Sequence, residues 1–432
     1  MTAGTGELRE EDQGHGSGPG PAGILGDRDF RLLWVGETTS KLGSSVSAIA
    51  VPLVAIAVLH ASVFQVSALT ALTWLPWLLI GLPAGAWVDR LPGRRVMLVC
   101  NLVSTLAFVS VPLAAWAGML TIGQLMLAAL LAGSAAVFFE TAYQVYLPSL
   151  VDPGRLTEAN ARLQSGAAAA GVLGPGVGGL IAQAVGAVAG PLADAVSFVV
   201  SSLCLLAIRG SGEPVESARR TTRLRQEITE GLRFVGRDPY LRVMTISGAV
   251  ANLALMGYQA LLMVFMVRVI GISAGTAGVL AACAQIGAVF GAVGATLVTR
   301  RFGSARGFLV AQSFGAFALL IPLGGRGARL AFLLVGALLV AFGVVMAAVI
   351  KASFRQAYCP RPMLGRVTVS MQFLNYGSIP LGALLGGVLS GALGVRPTMW
   401  IMTAAFALSV TILLFSPIPG RRDLPSAPPD LP

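Results

Sequence analysis

Charged residues are scarce in this chain. Asp, Glu, Lys and Arg make up 11% of its 432 residues, whereas soluble domains carry about 25%. Hydrophobic residues account for 55%, and the mean hydropathy is +0.79. A soluble chain of this composition would leave a large apolar surface in contact with water. The composition therefore predicts an all-α protein embedded in a lipid bilayer.

Cysteine and histidine are also rare, and neither occurs with the spacing of a metal site or a disulfide framework. These residues are Cys100, Cys204, Cys283, Cys359, His15 and His60. We interpret the cysteines as small apolar residues in or near membrane helices. No metal, disulfide or cofactor is expected.

The motifs of ATP-driven pumps and of membrane enzymes are missing. No GxxxxGK[ST] run is present, and neither Lys41 nor Lys351 follows a glycine, which excludes a P-loop pump. No HExxH run or concentrated pair of acids indicates a protease or a transferase, so an enzyme is not expected. The net charge of +11 does not indicate nucleic acid, because the basic residues lie in short gaps between apolar segments.

Long apolar segments are what the sequence does contain. A bilayer span requires about 20 residues, and by this measure the chain contains twelve transmembrane helices, split six and six by the longest polar loop. The predicted division is a disordered cytoplasmic tail (1–27), an N-terminal six-helix bundle (28–208), a cytoplasmic linker (209–239), a C-terminal six-helix bundle (240–416) and a second disordered cytoplasmic tail (417–432).

The linker contains an apolar residue every four positions, at Leu224, Ile228 and Leu232, among charged residues. This pattern predicts an amphipathic helix. The helix either lies on the inner membrane surface or is a plain connection between the bundles.

Arginines are distributed unequally between the two sides of the membrane. The loops on one side contain only Arg268, Arg326, Arg329 and Arg396. The other side holds the remaining loop arginines, so the positive-inside rule places both termini in the cytoplasm. The chain shows no cleavable signal segment. We expect a multi-pass protein of a bacterial cell membrane.

The two halves of the chain resemble each other. Tyr146-Leu-Pro148 after the fourth span is echoed by Tyr358-Cys-Pro360 after the tenth. The glycine-rich run 174–180 in the fifth span is echoed by 379–387 in the eleventh. Such a duplication predicts two pseudo-symmetric six-helix bundles around a central cavity that opens alternately to each side.

The run from Gly81 to Arg95 is the most informative segment. Gly81 and Gly85 are four residues apart at the end of an apolar helix, and Asp89, Arg90, Arg94 and Arg95 follow. Small residues let a neighbouring helix approach closely. The run predicts a moving helix contact at the inner face of the membrane, which is typical of a transporter.

A second glycine-rich run lies in the fifth span. It contains Gly171, Gly174, Pro175, Gly178 and Gly179. Glycines at short intervals remove side chains from one face, and proline bends the helix. The run predicts tight packing that allows sliding against a partner helix; ordinary close packing is the alternative.

Ionisable residues inside spans are costly and are functional candidates by default. Glu37 and Lys41 are four residues apart in the first span and can pair. Glu140 and Asp194 lie in the fourth and sixth spans. Either Glu37 or Glu140 carries a transported proton, or the acids are structural, with Asp194 bonding a neighbouring helix and Glu140 holding an arginine. Lys351 and Arg355 lie near the inner end of the tenth span.

Aromatic and amide side chains within spans are candidates for substrate contact. They are Trp74, Trp77, Asn252, Tyr258, Gln259, Gln285, Gln372 and Asn375. Such a lining suits a bulky amphiphilic small molecule. Helix packing is the alternative for each.

Many ordered runs resemble the major facilitator superfamily, within it the enterobactin-exporter-like and macrolide-efflux-like branch. The matching runs are 30–34, 40–43, 81–95, 147–151, 156–160, 174–180, 194–198, 230–234 and 365–367. They cover nearly the whole chain outside its tails.

The resemblance implies a monomeric secondary transporter that exports a lipophilic or amphiphilic molecule, such as an antibiotic or a siderophore, in exchange for protons. It implies that the run 81–95 is a conformational gate, in which Asp89 satisfies a helix N-terminus and the arginines form ion pairs. Thr299 occupies the matching site of the second half, where an acid is expected. The resemblance also associates the run 171–179 with exporters. An importer, a lipid transporter or a non-transporting sensor of the same fold remain alternatives.

Overall fold

A computed structural model describes residues 24–88, 91–209 and 224–425. All regular elements among these residues are helical. Eleven described helices are long and apolar enough to cross a membrane. A further apolar helix, Val63–Leu79, is continued after Ile80 by the short helix Gly81–Val88, and together they form a twelfth crossing. The prediction of an all-α protein with twelve membrane helices is confirmed.

Spans one to six form the N half. In chain order they are Arg28–Val58, Val63–Leu79 with Gly81–Val88, Gly93–Trp116, Ile122–Leu150, Leu156–Ala184 and Ala189–Ala207. Within this half, span one packs against spans five and six, and span three packs against spans four and six.

A linker helix, Leu224–Arg237, precedes the C half. Spans seven to twelve are Pro239–Ile270, Ala274–Phe302, Ser304–Leu323, Gly327–Tyr358, Arg361–Leu393 and Val395–Leu414. Span seven packs against spans eleven and twelve, and span ten packs against spans eight and nine. The two halves meet chiefly where span five packs on span eight and where span two packs on span eleven.

The interruption of span two follows from its prolines. Pro76 lies within the helix Val63–Leu79, and Pro83 lies in the first turn of the helix Gly81–Val88. Proline has no backbone N–H, and this absence is tolerated in the first turn of a helix. The chain therefore restarts its helix at Gly81 without losing a hydrogen bond at Pro83.

The linker helix is fixed to the C half. Arg366 of span eleven pairs with Glu230 of the linker helix, with 2.6 Å between Nη1 and Oε2. At the end of the linker helix, the buried Asp238 accepts hydrogen bonds from the backbone N–H groups of Tyr240 and Leu241 and from the hydroxyl of Tyr358. Asp238 thus caps span seven and ties it to span ten.

One buried apolar cluster joins both halves at one end of the molecule. It includes Leu53 and Val54 of span one and Val264 and Phe265 of span seven. Here the guanidinium of Arg268 also donates a hydrogen bond to the carbonyl of Ile56 at 3.2 Å. We call this end the sealed end.

The opposite end, at which span three begins with Arg94 and Arg95, is the arginine-rich end. Here the halves have separate buried clusters. The N-half cluster contains Phe30 and Met97, and the C-half cluster contains Phe308 and Phe354. The halves are therefore packed together at one end and possess independent cores at the other.

Candidate functional site

Each half encloses a cavity. The N-half cavity has a volume of about 390 Å³ and is lined by spans one, two, three, four and six. The C-half cavity has a volume of about 300 Å³ and is lined by residues of spans seven, nine, ten, eleven and twelve. Small-molecule sites have volumes of roughly 300–1,000 Å³, so each cavity is large enough to contribute to one.

Lys41 is held by two carboxylates in the N-half cavity. Its ammonium lies 3.4 Å from Oε1 of Glu37, one turn away on span one, and also contacts the carboxylate of Glu140 on span four. Glu37 is only 7% exposed. The pair expected from the four-residue spacing is present. The expectation that Glu140 holds an arginine is wrong, because Glu140 pairs with Lys41 instead.

The cluster of Glu37, Lys41 and Glu140 carries one net negative charge when both acids are ionised. A single proton on either carboxylate makes it neutral. In a cavity surrounded by apolar helices, a change from one net charge to none alters the local electrostatic energy strongly. Lys41 would therefore keep a charged carboxylate partner even if one of the two acids were neutral.

Asp194 forms a separate acidic site in the same cavity. It is 1% exposed, and the hydroxyls of Ser44 and Ser197 donate hydrogen bonds to Oδ1 at 3.4 and 3.2 Å. It has no cation partner in the described part of the chain. Gly43 makes room for it, since a Cβ there would lie 2.7 Å from Oδ1. Asp194 therefore bonds span one to span six, as its structural interpretation proposed.

The glycine run of span five faces two different partners. Gly178 lies against the backbone of Val46 in span one, where an added Cβ would be 2.8 Å from the carbonyl oxygen. Gly179 lies against span eight, where a Cβ would be 2.7 Å from the Cα of Gly278. Gly174 also faces span one, and the carbonyl of Pro175 approaches Gly278. Gly171 makes only a looser contact with Gln285.

The run 81–95 is only partly described. Asp89 and Arg90 lie outside the described residues, and the surroundings of Gly85 are not described either. A Cβ at Gly81 would meet only the ring of Trp77, at 3.9 Å, so Gly81 itself makes no close contact with another helix. The helix Gly81–Val88 packs on span four, and a close helix contact at Gly85 stays a prediction.

The two described arginines of this run have different environments. The guanidinium of Arg94 donates a hydrogen bond to the carbonyl of Leu206 at 2.9 Å and so binds the last turn of span six. Arg95 is exposed. Cations near helix C-termini donate hydrogen bonds to free carbonyls and interact favourably with the helix dipole. Arg94 thus ties the start of span three to the end of span six at the arginine-rich end.

Some of the predicted substrate contacts face the cavities. Trp74 and Trp77 line the N-half cavity, and both rings pack on Tyr376 of span eleven, with centroid distances of 6.2 and 5.8 Å. Tyr376 lines the C-half cavity and was not among the predicted site residues. This aromatic cluster therefore connects the two cavities across the boundary between the halves.

The amides divide in the same way. Asn252, Gln372 and Asn375 line the C-half cavity, and the amide of Asn252 donates a hydrogen bond to the carbonyl of Asn375 at 3.3 Å. Tyr258 and Gln259 line neither cavity. Tyr258 is 2% exposed and packs on Phe406 in the sealed-end cluster, whereas Gln259 is exposed. For these two residues helix packing and surface exposure replace the predicted contact.

Lys351 and Arg355 also line the C-half cavity, together with Gln372 and Asn375. The described residues contain no group of three or more His, Cys, Asp or Glu that suits a metal ion. The charged groups that line the two cavities are therefore three carboxylates with one lysine in the N half, and two cations in the C half.

Comparison with known proteins agrees with this architecture. Residues 21–430 match the family described as transmembrane secretion effector. The chain is 29% identical over 412 residues to the multidrug efflux pump Tap of Mycolicibacterium fortuitum, which covers 92% of this chain and 98% of that protein.

Solved structures give the same fold. The chain superposes on a mutant of the nucleoside transporter NupG with a TM-score of 0.74 at 11% identity, covering 90% of this chain and 99% of that one. It superposes on a bacterial homologue of the iron transporter ferroportin in the inward-facing state with a TM-score of 0.71 at 17% identity, covering 90% and 98%. The resemblance drawn from the sequence runs is confirmed, and the chain belongs to the transmembrane secretion effectors of the major facilitator superfamily.

Proposed function

We propose that this protein is a secondary active exporter of lipophilic or amphiphilic small molecules. The observation that carries the proposal is the asymmetry of the two ends. A shared apolar cluster holds the halves together at the sealed end, and each half has its own core at the arginine-rich end. Two bodies that can separate at one end and close at the other are the arrangement that alternating access requires.

The substrate class follows from the lining of the cavities. Trp74, Trp77 and Tyr376 offer flat apolar faces between carboxylates on one side and cations on the other. A ligand with an apolar body and polar substituents can pack on the aromatic faces and also bind the charged groups. The relative Tap is named a multidrug efflux pump, and export of drug-like compounds is the corresponding proposal here.

Protons are the proposed coupling ion, and the cluster of Glu37, Lys41 and Glu140 is their proposed site. Proton binding removes the net negative charge of the cluster, and release restores it. One charge moving through a membrane potential of 100 mV supplies about 2.3 kcal/mol, so one or two protons per cycle can drive useful accumulation. Asp194, which has no cation partner within the described ranges, is a second candidate.

The gate is proposed at the arginine-rich end, with this end and both termini in the cytoplasm of a bacterial cell. Arg94 already joins spans three and six there. The run from Gly81 to Arg95, with Gly85, Asp89 and Arg90, would hold this end closed in the opposite state. We further propose that the protein works as a monomer, since each chain supplies both halves of the cavity.

The glycine run of span five is proposed as the sliding contact of the cycle. Gly174 and Gly178 keep span five close to span one within the N half, and Gly179 faces the other half. A helix boundary without side chains can shift with little steric hindrance. Rotation of the halves would then act chiefly at the contact between Gly179 and Gly278.

A vesicle experiment tests the proposal. Everted membrane vesicles containing the full chain are energised to an acidic interior and screened for accumulation of fluorescent amphiphilic dyes. We expect accumulation that collapses when a protonophore dissipates the proton gradient. Accumulation that persists without any gradient would exclude proton antiport, and no accumulation across a broad panel would exclude export of this class.

A further inference from the structure

The C-half cavity contains two cations that have no acidic partner. Lys351 and Arg355 lie one turn apart on span ten and both line the cavity. Neither has a carboxylate within ion-pair distance among the residues that the structure describes. The Nε of Arg355 is buried without a hydrogen-bond partner. The Lys351 ammonium lies beside Gly248, where an added Cβ would be 3.3 Å away.

This arrangement is the opposite of the one in the N half. Lys41 contacts two carboxylates, whereas the described residues that line the C-half cavity with Lys351 include Arg355 and the amides of Asn252, Gln312, Gln372 and Asn375 but no carboxylate. An unpaired cation within a membrane helix is costly, because lipid cannot solvate its charge. Amide oxygens solvate an ammonium but cannot cancel its charge. The cavity thus carries two positive charges that a negative group from outside would neutralise.

We propose that the C-half cavity binds the anionic group, a carboxylate, phosphate or sulfonate, of the transported amphiphile. The planar guanidinium of Arg355 can form paired hydrogen bonds to two oxygens of such a group, and the ammonium of Lys351 adds a point charge. Tyr376 lines the same cavity and packs on Trp74 and Trp77. The apolar body of the ligand would extend from the cations towards this aromatic cluster. The inference rests on the proposed function, because it defines the charge of the exported molecule.

A second role for the cations leads to a different result. If Lys351 and Arg355 instead paired with Glu37 or Glu140 of the other half in another state of the cycle, their removal would affect all substrates equally. Anion binding requires that only ligands with a negative group lose affinity. Charge-matched ligands therefore separate the two roles.

The test is a binding measurement on the full chain in lipid nanodiscs. The probes are dansyl-phenylalanine with a free carboxylate and its methyl ester, which have the same apolar body. We expect the wild-type protein to bind the free acid at least ten-fold more tightly than the ester. The variant Lys351→Gln/Arg355→Gln should bind the acid as weakly as the ester. Equal binding of both probes by the wild type, or an unchanged preference in the variant, would overturn the inference.

Matched variants control for general effects of charge and folding. Arg300→Gln/Arg306→Gln removes two exposed cations from the same half and should retain the preference for the acid. Lys351→Arg keeps the positive charge and should retain most of it. The free acid should raise the Tm of the wild type but not of the Lys351→Gln/Arg355→Gln variant, since a ligand stabilises only the form that binds it. A Tm shift of equal size in both would count against the site.

Failure of the inference and failure of the proposed function are distinguishable, because equilibrium binding does not require transport. A carboxylate preference without gradient-driven accumulation of either probe would support the anion site and contradict the exporter. Accumulation of the ester without any binding preference for the acid would support the exporter and contradict the anion site.

Discussion

Gly179 of span five and Gly278 of span eight bring the backbones of the two halves into direct contact. A Cβ at Gly179 would lie 2.7 Å from the Cα of Gly278 and 2.8 Å from the carbonyl oxygen of Ala274. These neighbours are backbone atoms, which cannot rotate away as side chains do. The contact lies in the half of the membrane nearer the sealed end, so any larger residue at position 179 must push the halves apart there.

Gly179→Leu is expected to reduce export at least ten-fold. Overpacking costs about 1–3 kcal/mol, and here the cost falls on the state in which the halves touch. Efflux of a fluorescent substrate from loaded cells measures the effect. Gly171→Ala is the matched control, because a Cβ at Gly171 makes only an ordinary 3.9 Å contact with Gln285. Normal efflux in Gly179→Leu would contradict the importance of this contact.

Glu140→Gln is expected to uncouple export from the proton gradient. The substitution removes one carboxylate from the site of Lys41, and the remaining pair with Glu37 is neutral without a proton. Substrate-induced proton release from detergent-purified protein, followed with a pH indicator, should fall to background. Asp152→Asn, which removes an exposed acid outside the spans, should leave proton release unchanged. Proton release equal to that of the wild type in Glu140→Gln would assign the proton to another group, of which Asp194 is the second candidate.

Asp238→Ala is expected to destabilise the C half. Asp238 is fully buried, caps span seven and accepts a hydrogen bond from the hydroxyl of Tyr358. Loss of a cap costs about 1 kcal/mol, and an unsatisfied buried hydroxyl costs about 1–3 kcal/mol more. The measurement is the Tm of the protein in nanodiscs.

Tyr358→Phe in the Asp238→Ala background separates the two contributions. It should recover part of the lost stability, because the unpaired hydroxyl is then removed as well. If Asp238→Ala unfolds at the wild-type Tm, the cap and the tie to span ten contribute little.

Asp89→Asn is expected to reduce export strongly while insertion into the membrane remains normal. This expectation comes from the sequence run at the arginine-rich end, in which the acid would stabilise a helix N-terminus and hold arginines. Efflux is normalised to the amount of protein in the membrane. Asp89→Glu keeps the charge and should retain more activity than Asp89→Asn. Wild-type efflux in Asp89→Asn would remove the proposed gate.

Local features of the site were predictable from the sequence, and features that join distant segments were not. The pairing of Glu37 with Lys41 follows from helical periodicity over four residues. The contact of Lys41 with Glu140 joins positions 99 residues apart, and no periodicity reveals it. In the same way, the spacing of Gly178 and Gly179 indicated close packing but not that adjacent glycines face different halves.

Side-chain direction was the second source of error. Tyr258 and Asn252 occupy the same span and are both polar, yet only Asn252 faces the C-half cavity. Their difference depends on the rotation of span seven against spans eleven and twelve, which tertiary packing determines. Tyr376 was not predicted for the same reason, since what marks it is its packing on Trp74 and Trp77 of the other half.

The apolar cluster at the sealed end has a thermal consequence for the transport cycle. Opening this end exposes side chains such as Leu53, Val264 and Phe265 to water, and hydration of apolar surface increases the heat capacity. The free energy of opening is then a curved rather than a linear function of temperature. Cooling weakens the hydrophobic attraction that keeps this end closed. An Arrhenius plot of turnover limited by this step would bend, and cold membranes would shift the resting population towards the state open at the sealed end.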